Sequence, residues 1–205
     1  MKFERDLAPA CYKGCVILAS SSERRRRLLE EAGYDFRVVP PTLGEDRLHP
    51  QDPRLLAESL AYAKARRVAD KVERYLVIGA DTVVSLSGQV IGKADSPTEA
   101  RTILKRLTGT THEVITGLCV VNPRRGERLI AAETTRVTMK NATDDEIEAY
   151  VTSGEGIGKA GAYAIQENGD RFIEKIDGSF SNVVGLPMKM LADMLEAMRK
   201  LIYRE

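Results

Sequence analysis

Segments with the composition of β-strands alternate along the chain with segments that favour helix, and this alternation constrains the fold more than any other feature. Short apolar runs at Cys15–Ala19 and Phe36–Val39 flank Glu23–Gly33, which is rich in helix formers and ends on glycine. Alanine and leucine dominate Arg54–Val72, which predicts a second helix. The long apolar run Tyr75–Leu86 then predicts a strand.

Two strand segments are predicted to turn back on themselves as hairpins. Ser87-Gly88 leads from the long strand into Gln89–Gly92, and Asn122–Gly126 joins Glu113–Val121 to Glu127–Met139. Hairpins give antiparallel pairs, whereas strands joined through a helix pair in parallel. The chain is therefore predicted to be an α/β protein with a mixed sheet and flanking helices.

Three further helix starts are marked after the first hairpin. Ser96 before Pro97 and Glu99, and Thr143 before Glu146, are typical of capped first turns. A final helix after Leu186-Pro187 carries an apolar stripe made of Met188, Leu191, Leu195, Met198 and Ile202. Such a stripe faces either the core of its own chain or a second copy, and the core is the commoner case.

Composition excludes several classes of protein. Thirty-one Lys and Arg against 30 Asp and Glu give a net charge of +1, so neither nucleic acid nor a membrane surface is an expected partner. Two histidines and three cysteines are too few for a zinc cage or a disulfide framework. No apolar run reaches the length of a membrane helix, the charged N-terminus does not resemble a signal peptide, and unpaired cysteines suit a reducing compartment. A cytoplasmic location is therefore expected.

Ser20, Ser21 and Ser22, at the start of the first predicted helix, form the first candidate binding site. The free N–H groups and partial positive charge of a helix N-terminus suit phosphate. Four arginines follow, but they spread through about 300° of the helix and cannot all face one ligand, so Arg24 at the positive end is the candidate. The alternative is an ordinary serine cap followed by a solvated basic helix.

Asp81 is the strongest catalytic candidate, because it interrupts an apolar strand. A buried, unpaired carboxylate costs several kcal/mol, so Asp81 must meet a cation or lie at the mouth of a cleft. The two-residue period of a strand places Asp81 and Thr82 on opposite faces unless a bulge intervenes. A purely structural salt bridge is the alternative interpretation.

Two lysines and a second carboxylate complete the candidate set. Lys64 falls on a helical stripe with Leu56, Leu60 and Val68, so its ammonium either snorkels to solvent or enters a site, and the alanines at 61, 63 and 65 leave room beside it. Lys93 follows the first hairpin and Glu45 lies in an acidic loop. Together with Arg24, these groups could hold a polyphosphate and a divalent ion on Asp81 and Glu45. The scarcity of histidine favours Mg²⁺ or Mn²⁺.

The glycine-rich stretch Gly156–Gly161 has the glycine spacing of a dinucleotide-binding motif but not its structural context. A helix precedes it and Tyr163–Gln166 follows with strand character, which is the reverse of the required order. A phosphate-binding Walker loop is excluded too, since Ser153 and Ala160 stand at two of its required positions. The stretch is instead predicted to be a tight turn that brings Gln166 to a pocket, where its amide could pair with a base edge.

Five blocks stand out in order along the chain: Leu18–Arg25, Gly79–Val84, Leu107–His112, Gly161–Gln166 and Asn182–Pro187. Together they resemble the Maf family of nucleoside triphosphate pyrophosphatases. The resemblance implies a long mixed sheet with flanking helices forming two lobes around a cleft, similar to inosine triphosphate pyrophosphatase (Maf/Ham1-like), with residues 1–205 as a single domain and commonly a homodimer. It also implies hydrolysis of a nucleoside triphosphate to the monophosphate and pyrophosphate with a divalent metal.

The resemblance assigns roles to the candidate residues. Asp81 matches the proton acceptor, and Glu45, Lys64 and Lys93 match the other charged active-site positions. The three specificity positions of the branch acting on dTTP and UTP are matched by Arg24, Thr82 and Gln166.

Two departures and three alternatives remain open. Glu23 and Ala94 stand where the family usually has proline beside Arg24 and Lys93, which loosens the phosphate loops without removing a reactive group. The alternatives are the branch that prefers 7-methyl-GTP, a preference for modified pyrimidine nucleotides, and a non-catalytic nucleotide-binding regulator of septum formation.

Overall fold

The structure, a computed structural model, describes residues 14–42, 51–166 and 168–203. In chain order its elements are β1 (Val16–Leu18), α1 (Glu23–Glu31), β2 (Phe36–Val38), α2 (Pro53–Ala69), β3 (Leu76–Leu86), β4 (Gln89–Ile91), α3 (Pro97–Leu107), β5 (Thr111–Asn122), β6 (Glu127–Met139), α4 (Asp144–Thr152), a 3-10 turn (Asn168–Phe172), β7 (Ile173–Asp177), α5 (Phe180–Val184) and α6 (Met188–Ile202).

The strands form one mixed sheet in the order β2-β1-β3-β5-β6-β7, and β4 pairs with β3. β1 runs parallel to β2 and β3, because a helix separates consecutive members of this group in the chain. The remaining pairs are antiparallel and include both predicted hairpins. The predicted α/β fold with a mixed sheet and flanking helices is confirmed.

Helix α2 lies unusually close to the sheet. Ala57, Ala61 and Ala65 are fully buried against β3 and β5. A Cβ atom built on Gly79 would lie 2.3 Å from the Ala61 carbonyl oxygen, and one on Gly117 would lie 2.1 Å from that of Ala57. Small residues on both partners therefore permit this approach. The predicted stripe is wrong in detail, since alanines rather than Leu56 and Leu60 form most of the buried face.

The opposite face of the sheet carries the larger core. Helix α6 contributes Met188, Leu191, Leu195 and Met198, each fully buried within this chain, together with Met194. The core interpretation of the final stripe is therefore confirmed. Both predicted helix caps are present: the Ser96 side chain accepts from the Glu99 amide, and Thr143 with Glu146 forms a capping box.

Residues 163–166 do not form the predicted strand. Gly161 and Ala162 have φ angles of +72° and +56°, which interrupt an extended chain, and the Ala164 amide donates to the Tyr150 hydroxyl over 3.0 Å. The segment is held by turn and side-chain hydrogen bonds instead of a strand partner. Two later elements that no sequence pattern indicated, β7 and α5, follow it.

Among the described residues, no helix combines the length and apolar character needed to cross a membrane.

Candidate active site

A cavity of about 350 Å³ opens where one edge of β3 changes partner. β1 pairs with this edge only as far as Leu18 opposite Ile78, and β4 begins to pair at Val84 opposite Ile91. The edge of residues 79–83 therefore lies between the ends of two neighbouring strands. The cavity is lined by Ser20, Ser21, Ser22, Arg24, Arg25, Pro41, Lys64, Asp81, Thr82, Val84, Lys93, Val114, Gly158, Ala160, Tyr163, Ile165, Val183 and Val184.

Asp81 and Lys64 form an ion pair in this cavity, between the Lys64 Nζ and the Asp81 Oδ1. The Asp81 side chain is 9% exposed and that of Lys64 is 17% exposed, so the lysine does not snorkel into bulk solvent. Burial lowers the pKa of Lys64, and the neighbouring Asp81 charge opposes this shift. The close packing of α2 on Gly79 brings the two groups together.

β3 passes the cavity without a bulge. Asp81 lies opposite Gly117 and Thr82 opposite Thr116 in an unbroken register, so the two side chains point to opposite faces of the sheet, as predicted. Asp81 faces α2, whereas Thr82 faces the side of the larger core. Both line the cavity because it lies beside the edge of the strand.

Arg25 is a site residue that the sequence analysis missed. Its guanidinium is buried and donates from Nε to the Gly185 carbonyl over 2.7 Å, from Nη1 to the Ser20 Oγ over 3.3 Å, and from Nη2 to the Thr82 Oγ1 over 3.1 Å. Burial lowers its pKa and Asp81 opposes the shift. The spacing of Arg25, Leu28 and Leu29 was the available signal, because it places the arginine on the buried face of α1.

The other arginines of α1 diverge as predicted. Arg24 is half-buried and lines the cavity. Arg26 and Arg27 lie outside it and pair with Glu23. The position of each arginine on the helix therefore determines whether it can reach a ligand.

The three serines line the cavity at the N-terminus of α1. Ser22 occupies the cap position, but its side chain makes no capping hydrogen bond. Ser20 instead accepts from the Ser22 amide over 3.1 Å and from Arg25. The three serines therefore line the cavity, and the alternative of an ordinary serine cap is not observed.

Lys93 lines the cavity from the end of the first hairpin, and the glycine-rich turn packs beside it. Lys93 forms a backbone bridge with Ala160, and the Gly158 amide donates to the Ala94 carbonyl over 2.9 Å. Gly158 itself has a φ of +71°, which confirms the predicted turn. Gln166 is half-buried at the end of this segment; Ile165 lines the cavity and Gln166 does not. Glu45 lies outside the described residues.

The cavity has a charged part and an apolar part. Among its described residues, four cations surround one carboxylate, and no cluster of three metal-ligating side chains is present in the described part of the chain. Val84, Val114, Tyr163, Ile165, Val183 and Val184 form the apolar part. This combination can bind a polyanion joined to a flat, weakly polar ring.

Comparison with known proteins gives a consistent result. Residues 15–198 match the family described as Maf-like protein. A dTTP/UTP pyrophosphatase of Ruminiclostridium cellulolyticum is 43% identical over 92% of this chain and 98% of its own length. One of Pelotomaculum thermopropionicum is 46% identical over 88% and 95%, and one of Pyrococcus furiosus is 42% identical over 91% and 96%.

A solved structure supports the fold independently. The Staphylococcus aureus Ham1 protein has a TM-score of 0.53 with this chain, at 16% identity, and the match covers 90% of this chain and all of the other. At that identity the likeness concerns architecture alone.

Proposed function

The chain belongs to the Maf-like protein family, and from this membership and the cavity around Asp81 we propose that it is a nucleoside triphosphate pyrophosphatase acting on dTTP and UTP. The products are the nucleoside monophosphate and pyrophosphate. The single observation that carries the proposal is the Lys64–Asp81 pair, which places a carboxylate among four cations in a cavity with an apolar half.

The cations bind and orient the triphosphate. Arg24 approaches the cavity from α1, Lys64 from α2 and Lys93 from the segment after β4, and the N-terminus of α1 adds backbone N–H groups beside Ser20 and Ser22. Their fixed positions hold the α-phosphorus beside Asp81 and reduce the entropic cost of reaching the transition state.

Asp81 accepts the proton of the attacking water. In the free protein its carboxylate is engaged by Lys64. A bound phosphate competes for the Lys64 ammonium, which leaves a carboxylate oxygen to accept a hydrogen from water. Water then attacks the α-phosphorus, the bond to the bridging oxygen breaks, and pyrophosphate leaves.

A divalent metal fits the donor set of this cavity. Mg²⁺ is usually held by one or two carboxylates together with substrate phosphates, and a single described carboxylate among hydroxyls suits that arrangement. We propose Asp81 and Glu45 as its protein ligands. When bound, Mg²⁺ or Mn²⁺ would neutralise charge that develops on the phosphate oxygens.

The family resemblance and the composition of the chain support three finer proposals. Arg24 and Thr82, which line the cavity, and Gln166, which follows the lining residue Ile165, set the preference for uracil and thymine nucleotides over 7-methyl-GTP. The protein acts as a homodimer in the cytoplasm. Its partner is the nucleotide rather than nucleic acid, consistent with the net charge of +1.

A pyrophosphate-release assay with dTTP, UTP, CTP and 7-methyl-GTP, with and without Mg²⁺ or Mn²⁺, tests the function. We expect metal-dependent release that is fastest from dTTP and UTP. Fastest release from 7-methyl-GTP would contradict the pyrimidine assignment. Tight dTTP binding in calorimetry without turnover in either metal would favour the non-catalytic regulator.

A further inference from the structure

A chain of hydrogen bonds connects the cavity to a buried threonine outside it. Thr82 Oγ1 lies 2.9 Å from the Thr116 Oγ1, and Thr116 donates to the Asn182 carbonyl oxygen over 3.0 Å. Arg25 Nη2 donates to the Thr82 Oγ1 over 3.1 Å. Thr116 is fully buried, whereas Thr82 is half-buried and lines the cavity.

The Asn182 carbonyl requires the hydrogen of Thr116. The next amides of its helix do not reach it, since Gly185 and Leu186 both donate to the Ser181 carbonyl. Residue 187 is proline and has no N–H. A buried carbonyl without a donor is costly, so the hydroxyl hydrogen of Thr116 is committed to Asn182.

This commitment fixes the direction of every other bond in the chain. A threonine hydroxyl has one hydrogen and two lone pairs. Because Thr116 has given its hydrogen to Asn182, it can only accept from Thr82. Thr82 has then spent its own hydrogen, and Arg25 occupies one of its lone pairs. Only a lone pair remains on Thr82 for a ligand in the cavity.

We propose that Thr116 is a positioning residue that makes Thr82 an obligate hydrogen-bond acceptor, and that Thr82 thereby selects a pyrimidine whose N3 carries a hydrogen. The inference rests on the proposed function and specifies how the pyrimidine base of the substrate is recognised. The only polar donor on the ring edge of uracil and thymine is N3–H, because O2 and O4 are acceptors, so an acceptor can bond these bases only at N3. Cytosine bound in the same pose would place its N3, an acceptor, against the Thr82 lone pair. Phosphate oxygens, which are acceptors, are excluded from this contact.

The placement of Thr82 favours the base over the phosphates. Thr82, Val84, Val114 and Thr116 share the face of the sheet opposite Asp81. Val84 and Val114 belong to the apolar part of the cavity, where a pyrimidine ring would lie. The Lys64–Asp81 pair occupies the other face.

The test compares UTP and CTP hydrolysis by wild type and by Thr116→Val. We expect wild type to favour UTP in kcat/KM by about 10- to 100-fold, since an acceptor facing an acceptor leaves both unpaired. In T116V the Thr82 hydrogen becomes free to point at cytosine N3, so the UTP/CTP ratio should fall about 10-fold. The ratio is internal to each variant, so a loss of active protein affects both substrates equally.

Two matched variants accompany it. T116S keeps the hydroxyl and should retain the wild-type ratio. T138V removes one hydroxyl of the exposed Thr111–Thr138 pair, which joins β5 to β6, and should also leave the ratio unchanged. If T116V does not fold, T116A removes the same hydroxyl with less bulk.

The outcomes separate the two proposals. Wild-type protein that hydrolyses neither UTP nor dTTP overturns the proposed function. Wild type that hydrolyses UTP and CTP equally, or a folded T116V or T116A with the wild-type ratio, overturns the role of Thr116 and leaves the proposed function standing.

Discussion

At the scale of single residues, the wall of the cavity contains two cations, Arg25 and Lys64, whose charged forms are disfavoured by burial. Burial lowers the pKa of both Arg25 and Lys64, and Asp81 is the nearby anion that offsets the shift for each. In the described hydrogen bonds, Arg25 donates only to neutral oxygens, and Asp81 bonds to Lys64 instead. One carboxylate therefore offsets the charge of two buried cations. The cavity therefore retains positive charge that a triphosphate can neutralise.

His112 is a second buried titratable residue, and it lies behind the cavity wall. Its Nε2 lies 2.9 Å from the hydroxyl of Tyr163, a lining residue, and its buried Nδ1 has no hydrogen-bond partner among the residues that the structure describes. Burial lowers the pKa of His112 from 6.5 to about 4. The folded protein therefore holds it neutral, whereas the unfolded chain protonates it below pH 6.5.

We predict that this histidine weakens the fold in acid. Because its folded pKa is depressed, its contribution is fully present above pH 6.5 and is lost as the pH falls toward about 4. Between pH 7 and pH 5 wild type should lose about 2 kcal/mol more unfolding free energy than His112→Gln, which does not titrate. Urea denaturation of both proteins at the two pH values measures the difference, and equal losses would contradict the prediction.

At the scale of secondary-structure elements, the contact between α2 and the sheet sets the geometry of the site. Ala61 and Ala65 on either side of Lys64 lie against Gly79, which is two residues before Asp81 in β3. Lysine and aspartate are thus placed by backbone packing rather than by their own side chains. Adding one methyl group at this contact should therefore displace the Lys64–Asp81 pair and lower the activity.

Gly79→Ala tests this contact. Its new Cβ would lie 2.3 Å from the Ala61 carbonyl oxygen, which is backbone and cannot rotate away, so α2 must shift. We expect a loss of about 1–3 kcal/mol in unfolding free energy and a lower kcat/KM for UTP. Gly92→Ala is the control, because no atom lies within 4 Å of its Cβ position and its φ is not left-handed. Wild-type stability and activity in G79A would show that the contact does not position the pair.

The elements that the sequence predicted correctly carry their signals locally. The capped starts of α3 and α4, the Ser87-Gly88 turn and the apolar run of β3 need no distant partner to be recognised. β7 and α5 were missed because their stability comes from partners far along the chain: β7 pairs with β6, and buried Asn182 of α5 donates to the Val114 carbonyl and to Thr135.

The same distinction applies to the site. Asp81 and Lys64 stood out because each breaks an apolar pattern within its own element. Arg25 did not, because three neighbouring arginines conceal the one that turns inward, and its acceptors Gly185 and Thr82 are distant in sequence. Helical spacing alone could have separated it from Arg24.

At the scale of the whole molecule, the cavity is open to both faces of the sheet, with the Lys64–Asp81 pair on one face and Val84 and Val114 on the other. The chain carries almost no net charge, yet four of its cations meet at the gap between β1 and β4. Long-range attraction is weak in such a molecule, so binding depends on short-range contacts inside the cavity. That arrangement suits a small polyanion that carries a base. It also requires that Asp81, the one described carboxylate of the cavity, accept the proton of the attacking water.

Pyrophosphate release from UTP by Asp81→Asn tests this requirement most directly. The amide preserves the shape of the side chain and an oxygen for Lys64 but cannot take a proton from water. We predict that D81N remains folded and binds UTP, while its kcat falls by at least about 10²-fold. A folded D81N that releases pyrophosphate at the wild-type rate would show that Asp81 is not the proton acceptor.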